Sequence, residues 1–277
     1  MVTPPCNYVR ASWPGFGGLR YLFVFGASYC DVGFTMAKDT PAPTDDNPLG
    51  IEYPGVTYAE EGKPNWVGFL ATVYNASPLL VYNYALGGAT VDGVANQVER
   101  SFLPRAGTKP AGAVWTERDS LFITWVGIND IARGASAHDS LDRLFAAQAK
   151  LYAAGARNFM FVEMPPIHRS PAIPEARSNA SGAGPFEAWN ASLAAHIEEF
   201  ATDYPDTSVF LFKAWDTFTR VLDDPVAHGF KTGDTRRKGG GIWVDQLHPT
   251  SAMHEVVAQD MAIFLDGVGK PQLAPLT

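Results

Sequence analysis

The chain is poor in cysteine, with Cys6 and Cys30 alone among 277 residues. Two thiols are too few for a disulfide framework or a zinc site. They either stay unpaired or close one bridge from the N-terminal tail to the segment after the first apolar run. Such a bridge is worth ~3 kcal/mol in the chain-entropy model. Basic charge is also scarce: 21 Lys and Arg stand against 29 Asp and Glu, a formal net charge of -8. An acidic chain repels phosphate backbones, which argues against a nucleic-acid partner. The one dense basic cluster, Arg236, Arg237 and Lys238, lies in a glycine-rich stretch and reads as a solvated loop face. No apolar run reaches the ~18 residues of a membrane span. The first fifteen residues, MVTPPCNYVRASWPG, hold no apolar h-region, so no signal peptide is visible. Three sequons, at Asn75, Asn179 and Asn190, lean toward an extracellular glycoprotein. Charged residues make up only 18% and hydrophobic residues 46%, which fits a compact globule with a large core. No composition shift or repeat divides the chain, so residues 1–277 read as one domain.

What is present is an alternation of short apolar runs with helical stripes. The runs are YLFVFG (21–26), LLVYNYA (79–85), LFITWVG (121–127), NFMFVEM (158–164) and SVFLFKA (208–214). Each is apolar on both faces, as a strand buried on both sides must be. Between them, Trp66, Phe69, Leu70 and Val73 recur at helical spacing after Pro64, and a helix is expected around 91–103. Leu141, Leu144, Phe145 and Tyr152 form a third stripe within 139–154. Phe186, Trp189, Leu193, Ile197 and Phe200 form a fourth. The last helix begins at Pro249 and carries Met253, Val256, Val257, Met261, Phe264 and Leu265 inward. This alternation predicts a five-stranded parallel sheet covered by helices on both sides, a three-layer α/β/α sandwich. Residues 35–64, rich in Pro, Gly, Asp and Thr, read as a long surface loop.

Ligands of such sheets bind beyond the carboxyl ends of the strands, so the residues that follow each strand carry the functional reading. After the first come Gly26-Ala27-Ser28, a strand-to-helix turn that places a hydroxyl at the sheet mouth; a helix N-cap is the bland alternative. After the second come Gly87-Gly88-Ala89-Thr90, where glycines allow close backbone approach or merely a turn. After the third comes Asn129, whose amide either donates to an anion or caps a helix. Before the last helix stands Asp245-Gln246-Leu247-His248. An Asp three residues before a His can reach its ring and fix its tautomer. Among the other histidines, His168, His196 and His254 read as surface or helix residues, and His138 and His228 are given no role.

Taken together and in this order, the four sites resemble the Ser, Gly, Asn and His blocks of the SGNH (GDSL-type) hydrolases. The match is Ser28, Gly88, Asn129, and His248 with Asp245, over residues 21–266. Gly88 rather than Gly87 aligns because Ala89-Thr90 follows it. Ala27 departs from the family, which commonly has Asp there. The stretches Asn47-Pro48-Leu49-Gly50, Gly62 to Val67, Tyr82 to Asp92 and Lys109 to Gly112 are similar to fungal acetylesterases of carbohydrate esterase family sixteen. The resemblance implies a flavodoxin-like SGNH fold and a secreted, monomeric serine esterase. It implies a small ester or acetylated oligosaccharide such as a xylo-oligosaccharide as substrate, and neither metal nor organic cofactor. Ser28 is then the nucleophile, His248 the base and Asp245 its orienting acid. The Ser28 and Gly88 N–H groups and the Asn129 amide are the oxyanion donors. Trp243 and Ile128 are candidates to border the acyl pocket, and Trp66 and Tyr29 to stack on a sugar. A longer-acyl SGNH lipase and a catalytically idle carbohydrate-binding module are the rival readings.

Overall fold

The computed structural model describes residues 7–34 and 41–269. Cys6, and with it the bridge considered above, falls outside the described residues, while Cys30 is a buried free thiol. All five expected strands form: β2 (Tyr21–Gly26), β3 (Leu80–Asn83), β4 (Ser120–Trp125), β5 (Asn158–Val162) and β6 (Ser208–Phe212). Every residue in them is buried, which explains their unbroken apolar runs. They pair in parallel, with Tyr21 opposite both Leu80 and Ser120.

The expected count of five needs a correction. A two-residue strand, β1 (Asn7–Tyr8), adds an antiparallel edge to β6, giving the order β1-β6-β5-β4-β2-β3. Two residues are too few to show an alternation, so nothing in the sequence marks β1 as a strand. The strand order reverses at β2, with β3 to one side and β4 to the other. Such a switch point opens a crevice at the carboxyl ends of the strands.

Two helical layers cover the sheet. On one face α1 (Trp66–Thr72) packs on α7 (Ser251–Gly267), which also meets α6 (Ala214–Asp223). On the other, α2 (Val91–Asn96), which runs on as a π-helical turn over 97–102, packs on α4 (Ala137–Ala153), and α4 on α5 (Ala180–Asp203). A short helix, α3 (Ile128–Ala132), follows β4 directly. Asn65, Ser136, Asn179 and Thr250 cap α1, α4, α5 and α7 with side-chain oxygens. An aromatic stack runs through the sheet. Phe23 stacks on Phe122 at 4.7 Å, and Phe102 and Trp115 meet both rings edge to face. No described helix is long and apolar enough to cross a membrane.

The basic cluster is not simply a solvated face. Arg236 donates to Ser178 Oγ at 2.8 Å and to the Ile173 carbonyl, tying its loop to the segment before α5. Arg237 pairs with the buried Asp234. Of the sequon asparagines, Asn190 both donates to and accepts from the Met164 backbone, so a glycan there would break that pair.

Glu163 follows β5 and lies against the start of α6. Burial pushes its carboxyl up, Asp216 adds to the rise, and Lys213 opposes it. The result is about 7, against an ordinary 4.5. A carboxyl raised in the folded state binds its proton more tightly there than when unfolded. Folding stability therefore falls as pH rises from about 4.5 to about 7 and is flat beyond. Glu163→Gln should raise stability at pH 8 by roughly 1–3 kcal/mol and leave it unchanged at pH 4. Denaturant melts of both proteins at the two pH values check this, and an equal effect at both would contradict it.

Candidate active site

Ser28 sits in the turn after β2 and is 7% exposed. The sequence folds tightly here because Cys30 and Asp31 N–H both donate to the Ala27 carbonyl. Three buried amides hold the turn. Gln97 donates to and accepts from the Gly26 backbone, at 2.9 and 3.0 Å. Asn83 donates to the Cys30 carbonyl at 2.6 Å, and Asn65 to the Asp31 carbonyl at 2.8 Å.

His248 arrives from the other side, two residues before the N-cap of α7. The spacing of Asp245 and His248 works through the backbone as well as the ring. Asp245 Oδ1 accepts from Leu247 N–H and His248 N–H, which bends the loop, while Oδ2 meets His248 Nδ1 at 2.7 Å. His248 Nε2 then lies 2.9 Å from Ser28 Oγ. Tyr29 Oη donates to the Leu247 carbonyl at 2.6 Å and pins the loop. Burial pushes the Asp245 carboxyl up, but the His248 and Leu247 donors outweigh it and leave it below its ordinary value. A depressed carboxyl contributes stability above its unfolded value, and that contribution is lost as pH falls through the folded one. His254, beneath Tyr29, is pushed down to about 3 by burial and by His248. It stays neutral on the buried side of α7, as the helix residue it was expected to be.

The segment after β3 is held at four places. Asp31 Oδ2 accepts from Gly87 N–H at 2.8 Å. Arg133 donates to the Gly88 carbonyl at 3.1 Å. Asn129 Nδ2 donates to the Ala89 carbonyl at 2.9 Å, and the buried Asp130 accepts from Val91 N–H at 3.0 Å. Burial raises both acids, and the N–H bonds they accept oppose the rise. Gly88 adopts φ of +77°, which disfavours any side chain. A Cβ on Gly87 would meet the Tyr58 ring, which would have to move aside. Among the described residues, neither Ser28 N–H nor Gly88 N–H meets an acceptor. The Asn129 amide has a second hydrogen to give.

The five residues read from the sequence, Ser28, Gly88, Asn129, Asp245 and His248, thus surround one mouth at the carboxyl ends of β2, β3 and β4. The flanking guesses divide. Ile128 and Tyr29 line a small cavity of about 10 Å³ beside Ser28 and Asn129, with Trp125 and Gly127. Trp243 and Trp66 do not border it; both are fully buried, and Trp243 donates to the Thr235 carbonyl. Tyr29 is buried as well and offers no stacking face. The ring the sequence missed is Tyr58, 42% exposed and 4.9 Å from the His248 ring. Its only signal was its place in the long loop. Glu60 steadies that loop by accepting from Ser251 N–H at the start of α7. A wider groove of about 620 Å³ opens alongside, between Leu86, Gly88, Thr90, Asn96, Arg100 and Arg133.

Residues 22–261 match the model of the GDSL-like lipase/acylhydrolase family. An acetylesterase of Thermothelomyces thermophilus is 32% identical over 270 residues, covering 88% of this chain and 87% of its own. An acetylesterase of Hypocrea jecorina is 25% identical over 174 residues, covering 52% and 47%. Among solved structures, an acetyl xylan esterase of Geobacillus stearothermophilus superposes with a TM-score of 0.56 at 14% identity, over 90% of this chain and 96% of its own. At that identity the likeness shows the shared fold.

The positive φ of Gly88 sets the prediction for this site. Gly88→Ala should cost about 1–2 kcal/mol by denaturant unfolding although nothing crowds the new methyl. An unchanged midpoint would show that the segment does not need the left-handed conformation.

Proposed function

The chain belongs to the GDSL-like lipase/acylhydrolase family, and from that premise we propose that it is a serine acetylesterase acting as one domain on acetylated carbohydrates. The observation that carries the reading is the unbroken chain from Asp245 through His248 to Ser28 Oγ, with contacts of 2.7 and 2.9 Å at the sheet mouth.

In the proposed mechanism, His248 Nε2 takes the Ser28 proton as Oγ attacks the acetyl carbonyl. Asp245 holds Nδ1–H in place and stabilises the imidazolium that forms. The oxyanion meets Ser28 N–H, Gly88 N–H and the free hydrogen of the Asn129 amide, all fixed before the substrate arrives. His248 then protonates the departing sugar hydroxyl. A water then attacks the acyl carbon as it gives a proton to the same nitrogen, and His248 returns that proton to Ser28 Oγ as the ester bond breaks and acetate leaves.

The acetyl specificity rests on the 10 Å³ cavity beside Ser28. That is about the space of one water, which suits a methyl group and little more. Trp125 and Ile128 close it against longer chains. The sugar is assigned to the wide groove, where Asn96, Arg100 and Arg133 offer donors and Leu86 offers an exposed apolar face. The 32% identical acetylesterase supports the acetyl assignment. The xylo-oligosaccharide substrate rests on the family-sixteen resemblance. Action outside the cell as a monomer is part of the same reading, with Asn179, whose side-chain oxygen alone is engaged, as the sequon a glycan could occupy at least structural cost.

Two measurements test this. On p-nitrophenyl esters, kcat/KM for acetate should exceed that for octanoate by at least about 100-fold, since each misfit methylene costs about 1–3 kcal/mol. Ile128→Ala should raise the butanoate rate relative to acetate. A flat series would overturn the small-acyl assignment. Removal of one oxyanion donor typically costs about 10²–10³ in turnover. Asn129→Ala should therefore lower kcat by that factor with little change in KM. A lower melting temperature at unchanged kcat would make Asn129 a structural residue that only holds Ala89.

A further inference from the structure

A second cluster of titratable side chains lies between α4 and α5, away from Ser28. His138 and Asp142 stand one turn apart on α4, and His196 faces them from α5. One ligand atom from each falls within 4.8 Å of the other two. His196 Nε2 is 3.0 Å from Asp142 Oδ1, and His138 Nε2 is 3.8 Å from Asp142 Oδ2.

The hydrogen bonding of His196 makes this more than a chance neighbourhood. Its Nδ1 lies 2.7 Å from the Ser192 carbonyl, which can only accept. Nδ1 therefore carries a proton and donates. In the neutral ring, Nε2 then presents its lone pair to a carboxylate oxygen 3.0 Å away. A cation holds the two together: either a proton on Nε2, which makes an ion pair, or a metal ion that takes both as ligands. Histidine ligands of metals are commonly fixed in this way, with the far nitrogen donating to a backbone carbonyl. The His196 ring is also held in place, since its side chain is 7% exposed and packs on Phe145. His138 is free to adjust, with its side chain 73% exposed. Glu199 and Asp203 line the same groove and lower the cost of bringing a cation there.

We propose that His138, Asp142 and His196 form a surface site for a divalent transition metal, zinc by its ligand chemistry, that clips α4 to α5. Two imidazoles and one carboxylate suit zinc, which binds such donors at about 2.0–2.2 Å in a tetrahedron. Donors held so are roughly 3.4 Å apart, so His138 need swing inward only slightly. A water completes the set. The site has a structural task and no part in ester hydrolysis. α5 also carries Trp189 and Asn190, which back Gly127 and hold Met164, so the clip stiffens the layer behind Gly127 and Asn129.

The test titrates zinc chloride alone into the untagged, metal-stripped full chain by calorimetry, with melting temperature as a second readout. The parent should bind one equivalent and melt higher. His138→Ala, on an exposed side chain, should weaken binding by roughly tenfold or more and abolish the thermal shift. Its metal-free melting temperature and esterase activity should stay at the parental level. Asp142→Asn should behave likewise. His248→Ala should bind zinc as the parent does, which separates this site from the Ser28 mouth. No zinc heat in the parent, parental affinity in His138→Ala, or loss of binding in His248→Ala would each overturn the proposal.

Discussion

The architecture of the mouth depends on holding the backbone from Gly87 to Val91 still. Gly88, at φ of +77°, has neither a side chain nor a neighbour within reach of a Cβ to fix its direction. Asp31, Arg133, Asn129 and Asp130 supply the constraint from outside, through hydrogen bonds to Gly87 N–H, the Gly88 and Ala89 carbonyls and Val91 N–H. Asp31 belongs to the Ser28 turn and the other three to α3 and its end. The loops after β2 and β4 thus grip the loop after β3 between them. Burial makes this costly for the two acids, whose carboxyls are pushed up. The bonds they accept offset that cost only while the backbone keeps its place. Donors held in this way need no reorganisation when charge develops in front of them, which is where electrostatic catalysis gains most.

The same logic governs the Ser28 turn. A strand end at the sheet mouth leaves backbone groups without ladder partners, and buried ones must be satisfied. Gln97, Asn83 and Asn65 satisfy them with side-chain amides. These three residues touch no reacting atom in the proposed mechanism, yet they decide where Ser28 Oγ stands. Asp245 does the equivalent for His248, bending the loop with one oxygen and orienting the ring with the other.

Most of the sheet was legible because buried parallel strands write themselves as short, unbroken apolar runs. The strand order was not, since composition says nothing about which neighbour a strand takes. β1 escaped because two residues carry no period. α6 escaped because it follows β6 without a Pro or Gly to mark the change from strand to helix. The five mouth residues were legible as a pattern because each sits just past a strand or just before a helix. Their supports were not. Asn83 appears in the sequence only as a lone polar residue in an apolar run, and Gln97 as one of several polar residues in a helical stretch. Tyr58 is hidden in a loop whose composition signals only irregularity. The aromatic guesses at Trp66 and Trp243 failed for the opposite reason. Large rings next to a site in sequence are more often buried to build its walls, and both are fully buried here.

The central claim is that Ser28 Oγ, activated by His248, is the atom that attacks the ester. A fluorophosphonate reacts preferentially with a hydroxyl activated in this way. Treatment of the full chain, followed by peptide mass mapping, should find one phosphonyl group, on the peptide that contains Ser28. Esterase activity should fall in proportion to its occupancy. Complete inactivation with Ser28 unmodified, or a stoichiometric adduct on another residue, would contradict the account.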